Sequence, residues 1–317
     1  KQIISSVEQA IREGKLLKGG RLPSVNKVCL EFSLSRDTVL LAYDELKKRG
    51  ILFAIPGKGY YVKSIEISIQ KKIFVLFDEL NIFKEDLYNS FLQRIGKEIQ
   101  VDIFFHHFNS AVFKKLVQDS NGNYTQYVIM PCYLPEAADI ISVLPATEVY
   151  ILDQTNAGLR QYPAVYQNFV SDMYDGLTKA LPPLKKYGKL IMIFPGFREP
   201  PGMLEGFRKF CKETGMPNEV IAEFDNRSIR AGEVYIIPND RDLVKVMDQA
   251  KEQHFEAGKD FGIISYNETP LKKVVGQGIT TISTDFEAMG ETMAKMILKG
   301  ERRQVENRSG LILRKSL

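Results

Sequence analysis

From residue 73 onward the chain repeats one pattern, a short apolar run followed by a longer amphipathic stretch. The runs are IFVLF (73–77), VDIFF (101–105), YVIM (127–130), EVYIL (148–152), LIMIF (190–194), VIAEF (220–224), VYIIP (234–238) and FGIIS (261–265). An apolar run of about four to eight residues without alternation suits a strand buried on both faces, and parallel strands need a crossover helix between them. The pattern therefore predicts an α/β body. The stretch is long for a single open sheet, so two parallel-sheet subdomains are expected.

Residues 1–64 read differently. Ile3, Ile4, Val7, Ala10 and Ile11 form a helical stripe that ends near Gly14. Ser24 is placed to cap a second helix with Val25, Val28, Cys29 and Phe32 on its inner face. A third helix, SRDTVLLAYDELKKRG (35–50), carries its own start and stop. Ser35 is its N-cap, and Val39, Tyr43 and Leu46 share one face. Lys47, Lys48 and Arg49 lie where the helix dipole favours cations, and Gly50 suits the left-handed end. Ser35, Arg36 and Thr38 crowd the first turn with donors, as a helix that enters a DNA groove by its N-terminus requires. Two short apolar strands follow around Pro56-Gly57-Lys58-Gly59, a hairpin tip that would bring Lys58 close to phosphate.

The charge agrees. Residues 1–64 hold 12 Lys/Arg against 6 Asp/Glu, a net of +6, while the remainder holds 31 against 33. A small basic head on a near-neutral body points to a polyanion partner for the head alone.

The linked runs R-L-P-S, S-R-x-T-V, A-Y-x-E-L-x-x-x-G and G-x-G-Y-x-V resemble the winged helix-turn-helix head of GntR-family transcription regulators. The resemblance implies double-stranded DNA as partner, with Arg21, Ser24, Ser35, Arg36, Thr38, Lys58 and Gly59 as contact residues. Two positions depart from the family. Val25-Asn26 stand where it often has Glu-Arg, and Leu40 stands where many members have Arg, which suits a thymine methyl better than a phosphate.

The body is similar to the effector domain of LacI-type repressors, which has the periplasmic-binding-protein fold. The similarity rests on VYILDQ, GMLEGFRKFCKETG, VYIIPND, GIISYNETP, ITTISTDFEAMGETMAKMIL and the closing LILRKSL. In ITTISTDF, Thr284 with Glu287 reads as a capping box. A GntR-type head on a LacI-type body is the arrangement of arabinose-type repressors. It implies a palindromic operator bound as a homodimer, and release by a small sugar (a pentose, hexose or deoxyhexose) held between the two body subdomains.

In open α/β sheets ligands lie beyond the carboxyl ends of the strands. Asp78, Asp153, Asn239 and Asn267 fall there as hydroxyl partners, the resemblance to LacI-type repressors implies Asp153, Asn239, Asn267 and Thr284 as ligand residues, and Phe83 and Tyr266 could supply a stacking face. Asp240 suits the cap of its helix better than Asn239 does. The family's sugar-holding arginine is replaced by Met203, so Arg198 on the preceding loop is the substitute. The domains expected are a head at 1–64, a linker at 65–72 and a body at 73–317, with crossovers near 155–165, 265–270, 283–285 and the C-terminus.

Other classes are poorly supported. Cys29, Cys132 and Cys211 are too scattered for a disulfide framework or a zinc site. No apolar run is long enough to span a bilayer, so a cytoplasmic protein away from membranes is expected. GntR-type heads also occur on aminotransferase-like bodies, but the strand-end set lacks a lysine, and no phosphate-binding glycine motif, H-E-x-x-H or G-x-S-x-G is present. No enzyme, cofactor or metal is expected, and His106-His107 reads as structural. The competing reading is a body that docks a protein or only dimerises.

Overall fold

The computed structural model describes residues 2–65, 71–196, 198–225 and 227–317. Residues 66–70 of the expected linker lie outside the described residues.

The head comprises α1 (Gln2–Arg12), α2 (Val25–Phe32), α3 (Arg36–Lys48), β1 (Leu52–Ile55) and β2 (Gly59–Val62). Its core joins Ile11, Leu22, Val28, Val39, Tyr43, Leu46, Ile51, Leu52 and Val62. Ser24 and Ser35 cap α2 and α3 by accepting from the amides of Lys27 and Thr38. Tyr43 donates to the Pro23 carbonyl at 2.9 Å and meets Tyr60 edge-on, which locks α3 to the wing. Phe32, expected inside, is 62 % exposed, because α2 ends there and Ser33 turns left-handed at φ 54°.

The body carries β3 (Lys72–Phe77), α4 (Ile82–Ile95), β4 (Gln100–Phe105), α5 (Ser110–Ser120), β5 (Gln126–Ile129), α6 (Ala137–Ile141), β6 (Val149–Asp153) and β7 (Ala164–Tyr166). It continues with α7 (Phe169–Leu184), β8 (Lys189–Ile193), α8 (Pro201–Thr214), β9 (Asn218–Ile221), β10 (Glu233–Ile237), α9 (Asp240–Glu252), β11 (Gly262–Tyr266), β12 (Thr280–Thr284), α10 (Phe286–Lys299), β13 (Gln304–Glu306) and β14 (Ser309–Ile312). Two six-stranded sheets result, ordered β13-β7-β6-β5-β3-β4 and β14-β12-β11-β10-β8-β9. β6, β5, β3 and β4 pair in parallel, as do β12, β11, β10, β8 and β9, and β14 closes antiparallel on β12.

The continuous apolar runs have a direct cause in the second sheet. Leu190, Met192, Val234 and Ile236 face a core shared with α7 and α8. Their neighbours Ile191, Ile193, Tyr235 and Ile237 face the opposite core, shared with Leu243 and Val246 of α9. Strands covered on both faces need apolar side chains at every position.

The chain forms two compact units. One holds residues 1–79, 92–164 and 296–303, the other 80–91, 165–295 and 304–317. The segments 265–270 and 283–285, expected as crossovers, are not crossings. Both run inside the second unit, because β11 and β12 are neighbours in one sheet. Among the described residues no helix is long and apolar enough to cross a membrane.

Candidate functional site

In the head, six of the expected DNA contacts form two groups. Ser35, Arg36 and Thr38 are all exposed at the N-terminus of α3, where the Ser35 and Thr38 hydroxyls lie 2.7 Å apart. Arg21, Lys58 and Gly59 meet at the wing. Arg21 bridges to Tyr61 of β2, its guanidinium lies over Gly59, and Lys58 N donates to Ile55 O across a turn in which Gly57 takes φ 72°. Ser24, the seventh, is exposed at the start of α2. Arg36 at a helix N-terminus and Arg21 and Lys58 at the wing are exposed cations suited to phosphate oxygens.

In the first unit, Asp78 and Asp153 stand at strand carboxyl ends, 2 % and 4 % exposed. Asp78 Oδ1 accepts from the Glu79 amide, and its Oδ2 accepts from the Cys132 thiol at 3.0 Å. His106 is wholly buried, 3.1 Å from the Met130 carbonyl and 4.0 Å from the Cys132 sulfur. This polar cluster was not anticipated, because Cys132 and His106 belong to different strand ends that meet only in the sheet. Asp153 is held at φ 72°.

In the second unit, several expected ligand residues turn out to be spoken for. Asn239, not Asp240, caps α9: its Oδ1 accepts from the Asp242 amide at 2.9 Å. Asp240 instead pairs at 2.9 Å with Lys272, a buried lysine whose ammonium also donates to the Tyr266 and Asn267 carbonyls. Burial lowers the Lys272 pKa, and Asp240 opposes that shift. Thr284 does not cap α10 either. Asp285 does, through the Ala288 amide, while Thr284 Oγ1 donates to Arg308 O and accepts from Asn307. Tyr266 is 1 % exposed inside the core, so it offers no open stacking face. Phe83 stacks on Phe286 at 4.7 Å.

Met203, in the arginine's place, is a core residue at 4 % exposure, whereas Arg198 is exposed on its loop. Asn267 retains the most obvious unused capacity. Its backbone is pinned at φ 60°, and its buried Oδ1 has no hydrogen-bond partner among the described residues. Its neighbour Glu268 is committed. Burial alone would raise its carboxyl, but Arg314 and Thr281 hold it below the usual range.

Residues 1–62 match the model for bacterial regulatory proteins of the gntR family, and residues 186–317 match the periplasmic binding protein-like domain. The chain joins a GntR-type head to a periplasmic-binding-protein-like body. The chain matches, among others, the mannosyl-D-glycerate transport/metabolism system repressor MngR of Escherichia coli, 34 % identical over 79 residues, which are 25 % of this chain and 33 % of that protein. It also matches the transcriptional repressor YtrA of Bacillus subtilis, 30 % identical over 86 residues, which are 27 % of this chain and 62 % of that protein. The chain spans 14 % of the length of a third relative, the regulator YcxD of Bacillus subtilis.

The fold of the GntR-headed chain matches the trehalose repressor from Escherichia coli at a TM-score of 0.65 and 12 % identity, covering 77 % of this chain and 100 % of that one. A LacI family regulator from Silicibacter pomeroyi matches at 0.65 and 13 %, covering 78 % and 98 %. The relatives matched by sequence are described as transcriptional regulators or repressors.

Proposed function

We propose that this chain is a ligand-responsive transcriptional repressor that binds a palindromic operator as a homodimer and is released by a small sugar held at strand carboxyl ends of the body. The observation that carries the reading is the head. It presents Arg36 and Thr38 at an exposed helix N-terminus and Arg21 and Lys58 at the wing, on a body whose fold matches that of the trehalose repressor. Asp153, at a strand carboxyl end of the first unit, and Asn267, whose buried Oδ1 has no hydrogen-bond partner among the described residues of the second, are the hydroxyl partners we propose for the sugar, with Asp78, Asn239, Thr284, Tyr266 and Phe83 as further candidates. The arginine-to-Met203 change favours a neutral pentose, hexose or deoxyhexose over an acid sugar.

One observation favours the second reading, a body that docks a protein or only dimerises. The hydrogen bonds of Asn239 and Thr284 are largely made within the fold. A thermal-shift screen against monosaccharides, sugar acids and sugar phosphates separates the two. A ligand at 100 times its dissociation constant stabilises by ~2.7 kcal/mol. Selection of a palindromic duplex together with a sugar-dependent shift, lost in Asp153→Ala, supports the repressor. Selection of the duplex with no shift across the panel leaves the second reading.

A further inference from the structure

Lys48 and Arg49 end α3 and send their charges in opposite directions. Arg49 pairs with Glu8 of α1, inside the head. Lys48 reaches the body, where its Nζ lies 2.7 and 2.9 Å from the two carboxylate oxygens of Glu148. This pair is partly buried, with side-chain exposures of 12 % and 20 %. Exposed pairs contribute little, but a two-oxygen contact withdrawn from water holds its geometry more firmly.

Glu148 closes the 3₁₀ turn Ala146–Glu148 that leads into β6. The same turn is gripped from another side. The Arg302 guanidinium donates to the carbonyls of Ala146 at 2.6 Å, Thr147 at 2.9 Å and Val149 at 3.3 Å, and lies 5.3 Å over the Tyr150 ring. A planar fork with donors at fixed positions can span three carbonyls spread along a turn, a reach that a compact ammonium lacks. Arg302 is also the penultimate residue before the chain leaves the first unit after Arg303, whose carbonyl accepts from Ala164 at another crossing. An unbroken set of contacts therefore runs from the crossing strand, through Arg302 and the 146–148 turn, to the last turn of the DNA-reading helix.

We infer that Arg302, the 146–148 turn, Glu148 and Lys48 form a latch that fixes α3 to the body and passes movement of the 303/304 crossover to the head. Its purpose rests on the repressor reading, whereas its mechanics do not. Coupling of this kind needs an element that both ends bias, and here that element is the turn. Its carbonyls belong to Arg302, and its last carboxylate belongs to Lys48.

Amide hydrogen exchange on the full chain tests the latch without operator or sugar. Lys48→Met and Glu148→Gln should each speed exchange across residues 46–50 by about threefold or more. Arg302→Lys should speed exchange across 146–150 and across 46–50 together. Peptides from Leu190 to Ile193 in the second sheet report any global loosening. Exchange at 46–50 that stays at the parental rate in Arg302→Lys, while 146–150 opens, would overturn the relay.

If a variant loosens everywhere, the charge swap decides. The double change Lys48→Glu with Glu148→Lys should restore the parental rate that either single reversal loses, and no restoration overturns the pair. Failure to select any duplex would instead sink the repressor reading and leave the exchange result standing.

Discussion

Gly206 of α8 lies so close to Val170 of α7 that a β-carbon on it would collide with the Val170 carbonyl oxygen and crowd the Met173 side chain. It precedes Phe207, which is fully buried in the same core. Gly290 of α10 makes the same kind of approach to the Leu87 carbonyl and the Ser90 hydroxyl of α4. Gly206→Ala and Gly290→Ala should each destabilise by ~1–3 kcal/mol, because the helices must separate or shift to admit one carbon. Urea denaturation measures this, and an alanine variant as stable as the parent at either position would contradict the close crossing.

Asp172, in the first turn of α7, is 8 % exposed, and its Oδ2 has no hydrogen-bond partner among the described residues. Burial, then the charge of Glu306, push its carboxyl up to about 7, against the pull of Ser309 and Tyr266. The unfolded chain releases this proton in the ordinary carboxylate range, at about 4. The folded chain therefore holds a proton that the unfolded chain has lost. The stability so contributed is complete below about pH 4 and is lost as pH rises to about 7, by up to ~1.4 kcal/mol per pH unit. Asp172→Asn should match the parent near pH 4 and exceed its stability at pH 8. An equal difference at both pH values would reject this assignment.

Lys272 and Asp240 form a pair of unequal partners. The lysine side chain is 3 % exposed and the aspartate 64 %. Lys272→Met strips the donor from the Tyr266 and Asn267 carbonyls, at ~1–3 kcal/mol for each group left unpaired. Asp240→Asn should cost well under ~1 kcal/mol, since an exposed carboxylate is already solvated. Differential scanning calorimetry of the two variants should show a large drop in Tm for the first and a small one for the second.

Arg36 and Lys58 are exposed basic residues of the head, one at the N-terminus of α3 and one at the wing tip. If both neutralise phosphates, Arg36→Ala and Lys58→Ala should each weaken binding to a selected duplex. Each should also lower the slope of log K against log salt by about 1. Anisotropy titrations over a salt series measure this. A loss of affinity with an unchanged salt slope would assign the residue to base readout instead.

Much of the architecture could be read in one dimension. The apolar runs at 73–77, 127–130 and 190–194 are strands within a residue of the expected bounds, because burial on both faces imposes an unbroken apolar pattern. Ser35 to Gly50 forms a helix with its expected cap, because capping and periodicity are local. The short strands β7 and β13 went unread. Three residues carry no periodic signal, and their pairing depends on where the chain crosses between units.

The polar residues divide along the same line. Sequence placed Asp78, Asp153, Asn239 and Asn267 at strand ends, since a parallel strand's carboxyl end follows directly from its direction. Which of them keep a free hydrogen-bonding atom was a tertiary matter. Asn239 is spent on its own helix, Asp78 on a thiol 54 residues away, and Asp240 on a lysine 32 residues on. The sequence by itself determined the longer elements, their order and the basic head, because these follow from local conformational preference and the period of burial. Only the tertiary structure decided which partners meet, because hydrogen bonding between distant residues depends on distances that the folded sheets alone set.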